Sequence, residues 1–202
     1  MLNQSDFDTK EVKNTPIFLM YCVIQYVNII IFRIVEALFY GGIIMGKIFR
    51  FHKDVDTDQI IASQYLLYPT IEEMKVHTFE SLDPEFASKV QHGDFVVADE
   101  NFGCGSSREQ APGVLKALGV QAVVAKSFAR IFYRNAINIG LPVIVCKELY
   151  DAVTDGEEMS LDMSAGVAVV KGVQYSCTKL PPYMQSILDQ GGLIASLNKE
   201  EN

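Results

Sequence analysis

The sequence predicts an α/β fold built on a parallel sheet, and three observations predict it. Phe95 to Ala98, Val120 to Ala125 (interrupted only by Gln121) and Leu141 to Cys146 are short apolar runs, the pattern of strands buried on both faces. Two stretches that read as helices lie between them, from about Arg108 to Leu118 and from Ser127 to about Asn138. Strand, helix, strand, helix, strand in that order implies parallel strands joined by right-handed crossovers.

Taken in order, the chain opens on a leader. Asn14 to Phe32 carries no charge and has roughly the length of a membrane span. Arg33 and Glu36 interrupt the apolar pattern, and no small-residue cleavage site of the A-x-A kind precedes Met45, which argues against a signal peptide. Two readings stand: a signal anchor, or a mis-assigned start with translation beginning at Met45. The codons of Gly41-Gly42 can hold a purine-rich ribosome-binding sequence just ahead of Met45, which favours the second. The expected organisation is therefore an apolar leader, 1–44, and a functional domain, 45–202, that is cytoplasmic and has no membrane partner.

Gly46 to Phe51 alternates polar and apolar as a half-buried strand does. Asp54, Asp56 and Asp58 follow in an acidic turn; if it is extended, Asp56 points away from its two neighbours. Tyr65-Leu66-Leu67-Tyr68-Pro69 reads as a loop or short helix. Ser127 is the expected N-cap of the second helix. Val167 to Val170 and Val173 to Cys177 read as a hairpin across Lys171-Gly172, and Tyr183 to Gln190 as a closing helix.

Composition narrows the function. Seventeen Lys plus Arg against 25 Asp plus Glu gives a net charge of -8, with no basic run, so nucleic acid is not an expected partner. Cys22, Cys104, Cys146 and Cys177 lie too far apart for a CxxC ligand pair, so this chain is expected to bind no metal of its own. His52, His77 and His92 share no ligand spacing and read as surface or packing residues. Arg130 and Arg134, four apart on one helix, either line a site or face solvent.

The chemistry concentrates in Asp99 to Glu109, between a strand and a helix, where ligand sites of open α/β sheets form. Ser106 and Glu109 fit an S-x-x-E capping box, which alone would account for both. It leaves Arg108 unexplained, because a cation in the first helical turn opposes the helix dipole. Two glycines, two hydroxyls and an arginine fork suit a carboxylate or phosphate. Arg108 stands where a dinucleotide fingerprint needs glycine, and neither a P-loop nor a G-x-S-x-G elbow is present.

Four segments together carry a resemblance: Asp56-Thr57-Asp58-Gln59-Ile60-Ile61, Tyr65-Leu66-Leu67-Tyr68, Asp99 through Glu109, and Lys126-Ser127-Phe128-Ala129-Arg130-Ile131-Phe132. In order and spacing they resemble the small subunits of 3-isopropylmalate dehydratase, in the swivel-domain group of the aconitase superfamily. The resemblance covers 45–202 and implies a swivelling β/β/α domain, adding a mostly β layer to the parallel sheet. It also implies a split hydro-lyase of leucine biosynthesis whose partner large subunit holds a 4Fe-4S cluster, the Lewis acid for the departing hydroxyl. By the same resemblance Ser106 is the base, Ser107 and Arg108 hold a carboxylate of a small dicarboxylate substrate, and Asp58 is an active-site acid facing the large subunit. A serine base needs N–H donors and a helix N-terminus to stabilise its alkoxide.

The resemblance turns the Tyr65-Leu66-Leu67-Tyr68 loop toward the variable substituent of the substrate. A third carboxylate would call for an arginine there, and none occurs from Ala62 to Met74. Leu66 and Leu67 suit a branched alkyl group, unless both pack inward. Isopropylmalate is thus favoured over homoaconitate or citrate; dimethylmalate remains open, as does a non-catalytic dicarboxylate-binding module.

Overall fold

The computed structural model describes residues 43–200, with side chains for 44–198, so the expectations for the leader fall outside the described residues apart from its last two positions. A seven-stranded sheet organises the described chain: β1 (Ile43–Phe51), β2 (Phe95–Ala98), β3 (Ala122–Ala125), β4 (Val143–Val145), β5 (Glu158–Asp162), β6 (Val167–Val170) and β7 (Val173–Ser176). Its order is β4-β3-β2-β1-β5-β6-β7. The first four strands pair in parallel, β2 to β4 as expected and β1 in addition; β5, β6 and β7 form an antiparallel meander. β5 has no counterpart in the sequence reading, because Glu158, Ser160 and Asp162 break its apolar run.

Every residue of β2 and β3 is buried, and alternation divides them between two faces. Phe95, Val97, Ala122 and Val124 meet Met159, Leu161, Ala168 and Val170 of the meander. Val96, Ala98, Val123 and Ala125 instead pack toward Val114 and Leu115 of helix α4 (Gln110–Ala117) and Phe132 and Ala136 of helix α5 (Arg130–Ile139). The meander therefore covers one face of the parallel strands and helices cover the other, giving the β/β/α layering. The sheet curls far enough that Thr178, just past β7, donates its N–H to Val145 of β4 at 2.8 Å.

Short helices fill the first crossover: α1 (Thr57–Ile60), α2 (Ile71–Met74) and α3 (Phe86–Lys89), with 3-10 turns at Ser63–Leu67 and Lys75–His77. They surround an aromatic knot in which Phe79 stacks on Phe51 with ring centroids 4.0 Å apart and meets Phe86 edge-on at 4.9 Å. Phe79 has φ +58°, a left-handed backbone costing about 1–2 kcal/mol in a non-glycine residue. Complete burial of its ring contributes about 1.5–3 kcal/mol and the aromatic pairs add to it, so the packing outweighs the strain. After β4 come α6 (Leu149–Ala152), α7 (Pro182–Asp189) and α8 (Leu193–Glu200).

Two local expectations are corrected, and the condition attached to a third is not met. Glu109, not Ser106, is the N-cap residue of α4, and no side chain caps it, so the Ser106–Glu109 capping box does not form. Ala129, not Ser127, precedes α5; the Ser127 hydroxyl instead accepts the N–H of Asn101 at 2.8 Å. The acidic turn is not extended either, because Asp54 has φ +55° and Asp56 caps α1 in a capping box with Gln59. Among the described residues no helix is long and apolar enough to cross a membrane.

Candidate active site

At the C-terminal ends of β1, β2 and β3 the chain goes on pairing after the strands stop. Asp56 bridges Cys104, and Phe102 bridges Phe128, both in parallel sense. Residues 54–58, 101–106 and 127–129 therefore lie side by side as ragged extensions of the sheet. Gly103 makes this approach feasible: it has φ +78°, donates to Val55 O at 2.7 Å, and a Cβ there would lie 2.2 Å from the Phe132 ring. Gly105, at φ +89°, then turns the chain so that Ser106 and Ser107 stand exposed.

Ser106 is held through its backbone. Its N–H donates to Thr57 Oγ1 at 3.1 Å, and the same hydroxyl donates back to Ser106 O at 3.2 Å. Arg108 N also donates to Ser106 O, at 2.9 Å. These bonds explain why α4 starts late, since a residue whose backbone is tied to a neighbouring loop cannot cap a helix. The Ser106 hydroxyl makes no hydrogen bond among the described residues. It does not stand at the helix N-terminus, so the expected dipole support for an alkoxide is displaced four residues along the chain. Ser107 offers its hydroxyl beside it, and its carbonyl accepts from Asn135 Nδ2 at 3.3 Å.

Arg108 turns back over α1. Its Nη1 meets Asp58 Oδ1 at 2.6 Å and Ile61 O at 3.2 Å, while Nη2 donates to Ser63 Oγ at 2.9 Å. Ser63 Oγ donates in turn to Asp58 Oδ1 at 2.7 Å, closing a ring of three side chains. The Arg108 guanidinium, with help from the Ser63 hydroxyl, holds the Asp58 carboxyl below its ordinary range, so Asp58 is an acceptor at neutral pH. Arg108 is 15% exposed on its side chain and Asp58 54%, so the arginine is seated and the carboxylate is the part open to a partner. Burial, followed by the charges of Asp56 and Asp54, pushes the Cys104 thiol up, leaving it a poor nucleophile inside the same turn.

The Tyr65-Leu66-Leu67-Tyr68 loop divides its residues. Tyr65 stacks flat on His77, with ring centroids 3.8 Å apart, and shares Glu80 with it. Leu66 packs against the core, whereas Leu67 is 87% exposed. The structure thus assembles Asp58, Ser106, Ser107 and Arg108 at one place and holds Tyr65 beside the same crossover. Ser63 and Thr57 belong to that assembly although sequence reasoning passed over both. A polar residue flanked by Asp56 and Asp58 reads as one more member of an acidic turn, and nothing local marks it as buried.

Arg130 and Arg134 are exposed, make no ion pair among the described residues, and line a groove of about 600 Å³ between α5 and α7 with Tyr133, Met184 and Ile187. That groove does not include the Ser106–Arg108 turn. The described histidines remain packing or surface groups: His52 bonds Lys53 O at 2.6 Å and His92 lies against Gly119. No trio of His, Cys, Asp or Glu among the described residues is arranged to hold a metal ion.

The Aconitase C-terminal domain family matches residues 49–148, the span that holds all of these site residues. The 3-isopropylmalate dehydratase small subunit 1 of Archaeoglobus fulgidus is 54% identical over 152 residues, 74% of this chain and 94% of that protein. This chain belongs to that small-subunit family. The family is not uniform in name: the methanogen homoaconitase small subunit of Methanothermobacter thermautotrophicus is 52% identical over 155 residues, 76% of this chain and 89% of that relative. A crystal structure of 3-isopropylmalate dehydratase from Methanocaldococcus jannaschii superimposes with a TM-score of 0.75 at 43% identity, covering 79% of this chain and 95% of the other. Membership therefore extends to the β/β/α architecture as well as the sequence.

Proposed function

We propose that this chain is the small subunit of a cytoplasmic hydro-lyase that interconverts 2-isopropylmalate and 3-isopropylmalate in leucine biosynthesis, acting only with a large subunit. The observation that carries the reading is the exposed Ser106-Ser107 pair beside the Arg108 fork, at the open end of three parallel strands in a member of this family. The reaction removes a proton from one carbon and hydroxide from its neighbour, passes through an alkene, and returns water in the opposite sense. Ser106 takes the carbon-bound proton; because the helix starts only at Gln110, its alkoxide would draw on donors of the assembled site rather than on the α4 dipole. Ser107 and Arg108 hold a carboxylate, which gains the guanidinium by displacing the exposed Asp58, and Asp58 in turn meets the large subunit. As the resemblance implies, a 4Fe-4S cluster on the large subunit would assist the departing hydroxyl as a Lewis acid.

The choice of substrate rests on Leu67. It offers an exposed apolar side chain on a loop with no arginine from Ala62 to Met74, suited to a branched alkyl group at about 0.8 kcal/mol per buried methylene. Leu66, packed on the core, contributes shape only. The 52% identical homoaconitase relative favours a second reading, the same chemistry on homoaconitate. Steady-state kinetics on the assembled enzyme with isopropylmalate, dimethylmalate and homoaconitate separates them. Isopropylmalate is expected to have the highest kcat/KM, and Leu67→Arg to lower it while sparing homoaconitate. A wild-type preference for homoaconitate would give the second reading the substrate.

A further inference from the structure

Thr57 is 1% exposed, and its side-chain oxygen is committed entirely to Ser106. One hydroxyl accepts the Ser106 N–H and donates to the Ser106 carbonyl, while the backbone N–H of Thr57 donates to Cys104 O at 2.9 Å. Three bonds from one residue therefore span the reacting turn on both sides of Gly105, whose left-handed φ leaves it little preference of its own. The next residue, Asp58, reaches the other side of the same turn through Arg108. Because Arg108 N also bonds Ser106 O, fixing that carbonyl fixes the origin of the arginine side chain too.

We infer that Thr57 is a positioning residue, whose hydroxyl sets the pose of Ser106 and the root of Arg108 by gripping both backbone groups of Ser106. It touches no substrate; it acts through the turn. The inference deepens the proposed function and rests on that reading of Ser106 and Arg108. Thr57→Val keeps the shape and removes the grip, and Thr57→Ser keeps the grip and removes a methyl group.

Two readouts on the full chain test it. In the wild-type protein, hydrogen exchange at the Ser106 amide is expected to be slower than at its exposed neighbour Ser107 by at least about tenfold, and Thr57→Val to abolish the difference. In the complex with its large subunit, Thr57→Val is expected to lower kcat about 10- to 100-fold with subunit association unchanged, since a misplacement of about 1 Å at a reacting group costs that much. Thr57→Ser is expected to restore kcat to within about threefold of wild type. A Ser106 amide that exchanges as fast as that of Ser107 in the wild type overturns the inference without any variant. So does a folded Thr57→Val complex with wild-type kcat, or a Thr57→Ser complex as impaired as Thr57→Val. If the wild-type complex turns over none of the three dicarboxylates, the proposed function fails, and the amide measurement still decides whether Thr57 holds the turn.

Discussion

Ser106 combines a backbone tied down at both polar groups with a hydroxyl that bonds to nothing in the described chain. Removing that oxygen should therefore cost the fold little and the reaction much. Ser106→Ala in the assembled enzyme is expected to reduce kcat by at least about 100-fold, the usual scale of general-base effects, at an unchanged melting temperature. Arg108→Lys is expected to act on KM instead, because a point charge replaces a planar fork that reaches Asp58 and Ser63 together. Kinetics of the two variants side by side check this; wild-type turnover in Ser106→Ala would remove the serine from the chemistry. Ser106, Ser107 and Arg108 stand out in the sequence because a cation in a first helical turn would oppose the dipole, although α4 starts only at Gln110 and leaves Arg108 outside it. Thr57 and Ser63 were not, since each meets its partner across more than forty positions of chain, and an ordinary hydroxyl gives no sign of which loop it will face.

At the level of elements, the parallel strands were readable because burial on both faces leaves continuous apolar runs, and the meander was partly hidden because one face is polar. Capping was misread in an instructive way. Ser106-x-x-Glu109 has the right spacing, yet the Thr57 bonds pull Ser106 out of the helix; Asp56-x-x-Gln59 does form the box, on a four-residue helix too short to show periodicity. The same packing makes Gly103 the most constrained position of the turn. Gly103→Ala would add a left-handed alanine and drive its methyl into Phe132, so a loss of at least about 2 kcal/mol is expected in denaturant unfolding. An unchanged midpoint would mean that the turn and α5 are not packed as described.

Across the whole molecule, acid stability reports on the seam between the parallel strands and the meander. Lys171 first, and then the Thr154 hydroxyl, hold the Glu157 carboxyl down at about 2, against 4.5 for an unperturbed group. A depressed carboxyl stabilises the fold above its unfolded value and loses that contribution as pH falls through its folded value. The stability difference between wild type and Lys171→Met should therefore be constant above about pH 5, shrink below about 4.5 and vanish near 2, and salt should reduce it because Lys171 is exposed. Urea unfolding at a series of pH values checks this, and a difference that grows toward low pH would contradict it. If this chain is half of an enzyme, mixing it with its other half restores the reaction. The purified chain, alone and with a cluster-loaded large subunit of this family under reducing, iron-replete conditions, is given 2-isopropylmalate and assayed for 3-isopropylmalate. The prediction is no product from the chain alone and sustained turnover from the mixture; product from the chain alone, or none from a stably formed complex, would contradict it.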